Sequence, residues 1–307
     1  MTETVSTGVE PFYSAMLIHP APADAEASVM FSVIREISAE DHKRFRDAYN
    51  EIDDLLNRNV FTYFKSTLKT LVETMEKDAE ELLSGQVSYT QPDDAVRMGI
   101  RMRSAVLAFC SALHFHQEHN YKEVVRRFGE NSRQHKRIQR VFNRLFEKSP
   151  AYRILYHTRN TMVHHAMDII TINFSAFLDA DRNHQAVSAP RVDVEAIADL
   201  NTEISESFRN ELRAYDERPL VLELAAEAAP LVMEANERIL GYLHSDLDSA
   251  CRIVCEFDAI FEGADGTRCL THERSTNPPP PLRFGHATLA ANVILYARKR
   301  VSDGRGA

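Results

Sequence analysis

Apolar residues recur at helical spacing over most of this chain. Phe45, Tyr49, Ile52, Leu55 and Leu56 open a stripe that Val60, Tyr63, Phe64, Leu68, Leu71 and Met75 continue. Residues 38 to about 83 therefore read as helix, with a break near Asn57-Arg58-Asn59. Ser38 stands three residues before Asp41, an imperfect capping box. Gly85 ends the run, and Pro92 ahead of Asp93-Asp94 starts another. The spacing predicts further helices at about 93–119, 121–128 and 133–147, and one opening at Pro150. After Asp168 the period changes: Ile170-Thr171-Ile172-Asn173-Phe174-Ser175 alternates apolar and polar, as a strand does. Asp179 to Asn183 reads as a turn and Gln185 to Val194 as the returning strand of a hairpin. Helical spacing resumes from 194 to 217, and a long helix runs from Pro219 to about Phe261 despite Pro230. Gly263 to Gly266 is a turn, Asn277-Pro278-Pro279-Pro280-Pro281 a stiff extended break, and His286 to Arg300 a last helix. Residues 1–35, with Pro11, Pro20 and Pro22, show no clear period.

These elements divide the chain into an arm at 1–37, a helical bundle at 38–168, a hairpin at 169–195, a C-terminal helical region at 196–276, and a proline-rich break with a terminal helix at 277–307. The fold class expected is all-α, with a small β-hairpin insertion and additional C-terminal helices. Composition agrees with helix: 10 glycines and no Trp in 307 residues, 44% of them hydrophobic. No apolar run approaches a membrane span, and no basic start followed by an apolar stretch opens the chain. A cytoplasmic location without membrane partners is the expectation.

The chemistry concentrates in Tyr156-His157-Thr158-Arg159-Asn160-Thr161-Met162-Val163-His164-His165. Arginine stays charged and holds phosphate oxygens through paired N–H groups, and histidine titrates where proton transfer is needed. Cleaving RNA through its own 2′-hydroxyl requires both. Arg159 and His164 are the candidate catalytic pair, Asn160 a positioning group, and His165 and Tyr156 assisting groups. An arginine five residues before a histidine is expected by chance about once in such a composition. The Asn after the arginine is what distinguishes this occurrence, since Arg58-Asn59 and Arg209-Asn210 lack the histidine. Asn160 and His164 share a helix face, whereas Arg159 and His164 lie well apart around a regular helix. The plain alternative is a surface arginine and a solvated helix histidine.

Charge adds a footprint. The chain has a net charge of −9, yet residues 122–159 are strongly basic, with Glu123, Glu130 and Glu147 the acids there. Arg133, Lys136, Arg137, Arg140, Arg144 and Arg153 are the candidate RNA-binding residues. Elsewhere, Cys251, Cys255, Cys269 and His272 offer four soft ligands for zinc at an unusual spacing, with buried cysteines and an incidental histidine as the plainer reading. His114, His116 and His119, beside Glu118, form a second histidine group, read as a helix end near solvent. Phosphate-binding glycine loops, serine-hydrolase elbows and zinc-protease motifs are absent, and no cofactor is expected.

A late helix carrying Arg159-Asn160, three further residues and His164, in a bundle spanning about 38–168, resembles the HEPN superfamily. The resemblance implies a HEPN-like bundle and a metal-independent endoribonuclease whose Arg and His meet at a homodimer interface. It also implies a toxin or phage-defence role with an antitoxin or other regulatory protein partner. Some members only bind, so a non-catalytic helical RNA-, nucleotide- or protein-binding module is the alternative.

Overall fold

The computed structural model describes residues 9–21, 28–88, 90–178, 181, 184–275 and 284–304. They form two compact units: residues 1–59 with 244–307, and residues 60–243. The expectation of an all-α protein is overturned, because two antiparallel sheets accompany the helices and the fold is mixed.

The discontinuous unit contains β1 (Val9–Pro20), β2 (Val29–Glu36), α1 (Ala39–Leu56), α9 (Leu247–Ala259), β5 (Thr267–Ser275), β6 (Phe284–Thr288) and α10 (Ala291–Ser302). Its sheet runs β2-β1-β5-β6, with every neighbouring pair antiparallel. The sheet curls enough for Phe31 on one edge strand to meet His286 on the other, ring centroids 5.7 Å apart. Ala15, Leu17 and Leu270 pack against Phe45 and Ile52 of α1, Phe257 of α9 and Val293 of α10. Ser14, Met16, Cys269 and Thr271 are buried too, with the Ser14 and Thr271 hydroxyls 2.6 Å apart. The segment read as an arm thus holds two strands. Because β1 buries consecutive residues from Ser14 to Leu17, it shows none of the alternation that marks a half-exposed strand. The helix expected from His286 begins only at Ala291, after β6. The proline-rich break at 277–281 and Pro22 lie outside the described residues.

The continuous unit contains α2 (Val60–Leu83), α3 (Pro92–Phe128), α4 (Arg133–Lys148), α5 (Pro150–His164), β3 (Ile170–Leu178), β4 (His184–Val192), α6 (Val194–Leu200), α7 (Glu206–Arg213) and α8 (Val221–Leu243). The two helices expected at 93–119 and 121–128 are one, α3, since Asn120 bonds its own helix at the His116 carbonyl, 2.7 Å away, and does not break it. The long helix expected to reach Phe261 is α8 and α9, separated at 244–246. Phe64, Phe109, Phe142 and Tyr152 fill the core, each ring worth roughly 1.5–3 kcal/mol of burial. β3 and β4 pair without a register shift from Ile170–Val192 to Leu178–His184. Most of the turn expected between them, 179–180 and 182–183, lies outside the described residues. Among the described residues no helix is long and apolar enough to cross a membrane.

Candidate functional site

The motif lies on α5. Ser149 caps it, its hydroxyl accepting from the Tyr152 amide at 3.1 Å, and Pro150 occupies the first turn, where no N–H is needed. The helix stays regular to its end. Thr158 and Thr161 return their hydroxyls to the Ile154 and His157 carbonyls at 2.7 and 2.9 Å, and the His165 and Ala166 amides both close on Thr161. No loosened turn brings Arg159 round to His164. At 100° and 1.5 Å per residue they stand about 140° apart around the axis and about 7.5 Å along it.

Arg159 is half-buried. Its Nη1 donates to Asn160 Oδ1 at 3.2 Å, while its Nε is buried with no acceptor among the described residues. No carboxylate pairs with it there. Arg153, one turn and a half earlier, has its charge answered: one Nη spans both Glu211 oxygens at 2.7 and 2.9 Å, and its guanidinium rests 4.7 Å from the Phe208 ring. Tyr156 is half-buried, and the ring of His114 from α3 stacks on it at 3.7 Å. His114 Nε2 donates to the Tyr156 carbonyl at 3.0 Å. Burial lowers the His114 pKa, the carbonyl bond opposes this, and the nearby Arg159 charge lowers it further. Burial likewise raises the Tyr156 phenol. His157 faces inward; burial, then His114 and Arg153, bring it down to about 4, and its Nδ1 accepts from Asn201 at 3.3 Å.

Arg159, Asn160 and Tyr156 are therefore held together with His114, and His164 and His165 are exposed at the helix end. His114 was not visible as part of this group in the sequence, because 42 residues separate it from Tyr156 and only the packing of α3 on α5 joins them. The second histidine group is not a helix end near solvent. His114 and His116 are buried in mid-α3, and His116 meets Asn236 Oδ1 at 3.0 Å with its pKa brought to about 4 by burial.

The basic residues divide. Arg133, Lys136, Arg140 and Arg144 are exposed along α4 and form no ion pair among the described residues. Arg137 is half-buried with its guanidinium 5.2 Å from the Tyr242 ring. Arg153 is engaged internally, as described. The four zinc candidates do not converge. Cys251 lies in the helical core of the discontinuous unit, Cys269 on β5 donates weakly to the Thr267 carbonyl at 3.6 Å, Cys255 is half-buried, and His272 is exposed. Burial raises all three thiols, opposite to what ligation needs. Among the described residues no cluster of His, Cys, Asp and Glu is arranged to hold a metal ion.

Against family models, curated proteins and solved structures, the chain finds no match.

Proposed function

We propose that the continuous unit is a HEPN-type endoribonuclease that acts in the cytoplasm on RNA, with Arg159 binding the scissile phosphate and His164 moving the proton. The observation that carries this reading is the state of Arg159: a half-buried guanidinium with a buried, unpartnered Nε and no carboxylate, on the same helix as an exposed histidine. A fixed cation kept without a counter-charge costs folding energy, and a phosphate oxyanion is the group that repays it. Asn160 holds the guanidinium plane through its Oδ1. Tyr156, braced by His114, walls the same side of α5.

Because the intact helix sets Arg159 and His164 apart, the reacting phosphate is shared between two copies of α5, Arg159 coming from one copy and His164 from the other. Arg159 stabilises the pentacoordinate phosphorane charge, and His164 takes the 2′-hydroxyl proton or returns one to the departing 5′-oxygen. The four free cations of α4 hold the flanking backbone.

The test is cleavage of end-labelled RNA in EDTA. Wild-type protein yields 2′,3′-cyclic phosphate ends, Arg159→Ala and His164→Ala each lose cleavage with unchanged circular dichroism, and mixing the two variants restores part of it. Absence of wild-type cleavage, or cleavage that survives both substitutions, overturns the reading. A second reading is favoured by the α4 stripe itself, which needs no catalysis: a helical RNA-binding module. Salt-sensitive RNA binding without cleavage selects it.

A further inference from the structure

The discontinuous unit contains a cavity of about 750 Å³ lined by Tyr49, Arg268, Leu289, Ala291, Ile294 and Arg298 among others. We propose that it binds a small phosphate ester with an apolar or aromatic body, the class to which nucleoside monophosphates belong. This assignment is independent of the ribonuclease reading.

The anchor is a pair of guanidiniums fixed by one carboxylate. Asp258 on α9 is buried, with 6% of its side chain exposed. Arg268 Nε donates to Asp258 Oδ1 at 3.1 Å and Arg298 Nε to Oδ2 at 2.6 Å. Arg268 is locked further by donating Nη1 to the Gly266 carbonyl at 2.7 Å. One arginine already neutralises one buried carboxylate. The second leaves a surplus positive charge, and Nη2 of Arg268 and Nη1 of Arg298 have no acceptor among the described residues. Asp265 also lines the cavity; it is exposed and Arg298 half-exposed, so water screens both, and the mostly buried Arg268 is the fixed part of the anchor.

The surrounding backbone has the same polarity. Helix α10 starts in the cavity wall at Ala290-Ala291 without a side-chain cap or an acidic residue in its first turn. The Ala290 amide is taken by the Tyr49 hydroxyl at 3.0 Å, and the Ala291 amide has no acceptor among the described residues. Small side chains there let an oxyanion approach the helix end. Leu289, Ile294 and Leu295 give the wall an apolar part beside Thr267 and Thr288, and the volume lies within the range of small-molecule sites. Guanidinium donors and aliphatic carbon lining one cavity describe a ligand with an anionic group on a nonpolar body.

The probe is AMP, with adenosine and a 5′-phosphorylated oligonucleotide as comparisons, titrated calorimetrically into the full chain. AMP is expected to bind, and adenosine at least tenfold more weakly. Arg298→Gln, at a half-exposed position, is expected to weaken AMP about tenfold. Ala291→Glu places a carboxylate where a helix start favours one, so the fold is kept while the anion is repelled and binding is lost. Absence of AMP binding to wild type, equal binding of adenosine, undiminished binding in both variants, or binding of the oligonucleotide in preference to AMP each overturns the proposal.

Discussion

Mild acid should destabilise the continuous unit before its carboxylates titrate, and its buried histidines, His116 and His157 above all, set the size of the effect. His116 and His157 are each brought from 6.5 to about 4 mainly by burial. His116 sits against Phe61 and Phe142 with Asn236 as its hydrogen-bond partner. His157 sits among Phe146, Phe208 and Tyr156, bonded to Asn201, with His114 and Arg153 as its charged or titratable neighbours. A depressed histidine pKa means the unfolded chain binds more protons between the two values, so stability is complete above about pH 6.5 and falls as pH drops toward 4. The slope is about 1.4 kcal/mol per pH unit for each group. Between pH 7 and 5 each histidine therefore costs about 2 kcal/mol and the pair about 4, against a typical domain stability of 5–15 kcal/mol. Glu123, held near 2 chiefly by Arg126, loses its contribution only below its ordinary value of 4.5 and stays outside this window. Urea unfolding followed by circular dichroism at pH 7, 6 and 5 measures the effect. His116→Gln and His157→Gln should each remove about 2 kcal/mol of the loss between pH 7 and 5 and the double variant about 4, while His114, also lowered by burial, keeps a smaller remainder. A double variant that loses as much stability as wild type over that range would refute the assignment of the pH dependence to these two rings.

Replacing Arg133, Lys136, Arg140 and Arg144 together by Gln should leave the fold intact and reduce the salt slope of single-stranded RNA binding by about 3, four contacts at about 0.7 each; an unchanged slope removes α4 from the binding surface. Gly266 has φ +135°, and a Cβ there would lie 2.7 Å from the Ile18 carbonyl, so Gly266→Ala should cost about 1–3 kcal/mol in urea melts. Gly85→Ala, with φ +69° and nothing within 4 Å, is the control and should cost less; equal losses would mean that φ alone, not the close approach to β1, accounts for the effect.

The helices of the continuous unit were legible because each buries one face and leaves the other wet. Phe64 and Leu71 on α2, or Ile138, Phe142 and Leu145 on α4, mark that face in the sequence. The β3–β4 alternation was legible because only part of that hairpin is covered. The other sheet was not. β1 is covered on both faces from Ser14 to Leu17, and β2 leaves Phe31, Val33 and Ile34 all partly exposed, so neither presents period two. Its pairing with β5 is also remote, Ser14 meeting Thr271 across 257 positions, beyond any local signal. At the candidate site the residue types on α5 were readable, but their states were not. Arg153 and Arg159 look alike in sequence, and only the position of Glu211 on α7 tells the arginine with a carboxylate partner from the one bonded to Asn160.

The split composition of the discontinuous unit has a consequence for how the chain folds as it is made. Every residue of α2 to α8 is synthesised between the β1–β2–α1 segment and the strand that must pair with β1. The helical unit, continuous in sequence, can close on its own while β1 still waits with one edge unpaired. The closure entropy of bringing β5 to β1 is then set by the folded helical unit standing in for a long flexible loop, which shortens the search once that unit has formed. Mutations that slow the helical unit should therefore delay a sheet they never touch, and prolong the time that an apolar, unpaired strand edge is open to neighbouring chains.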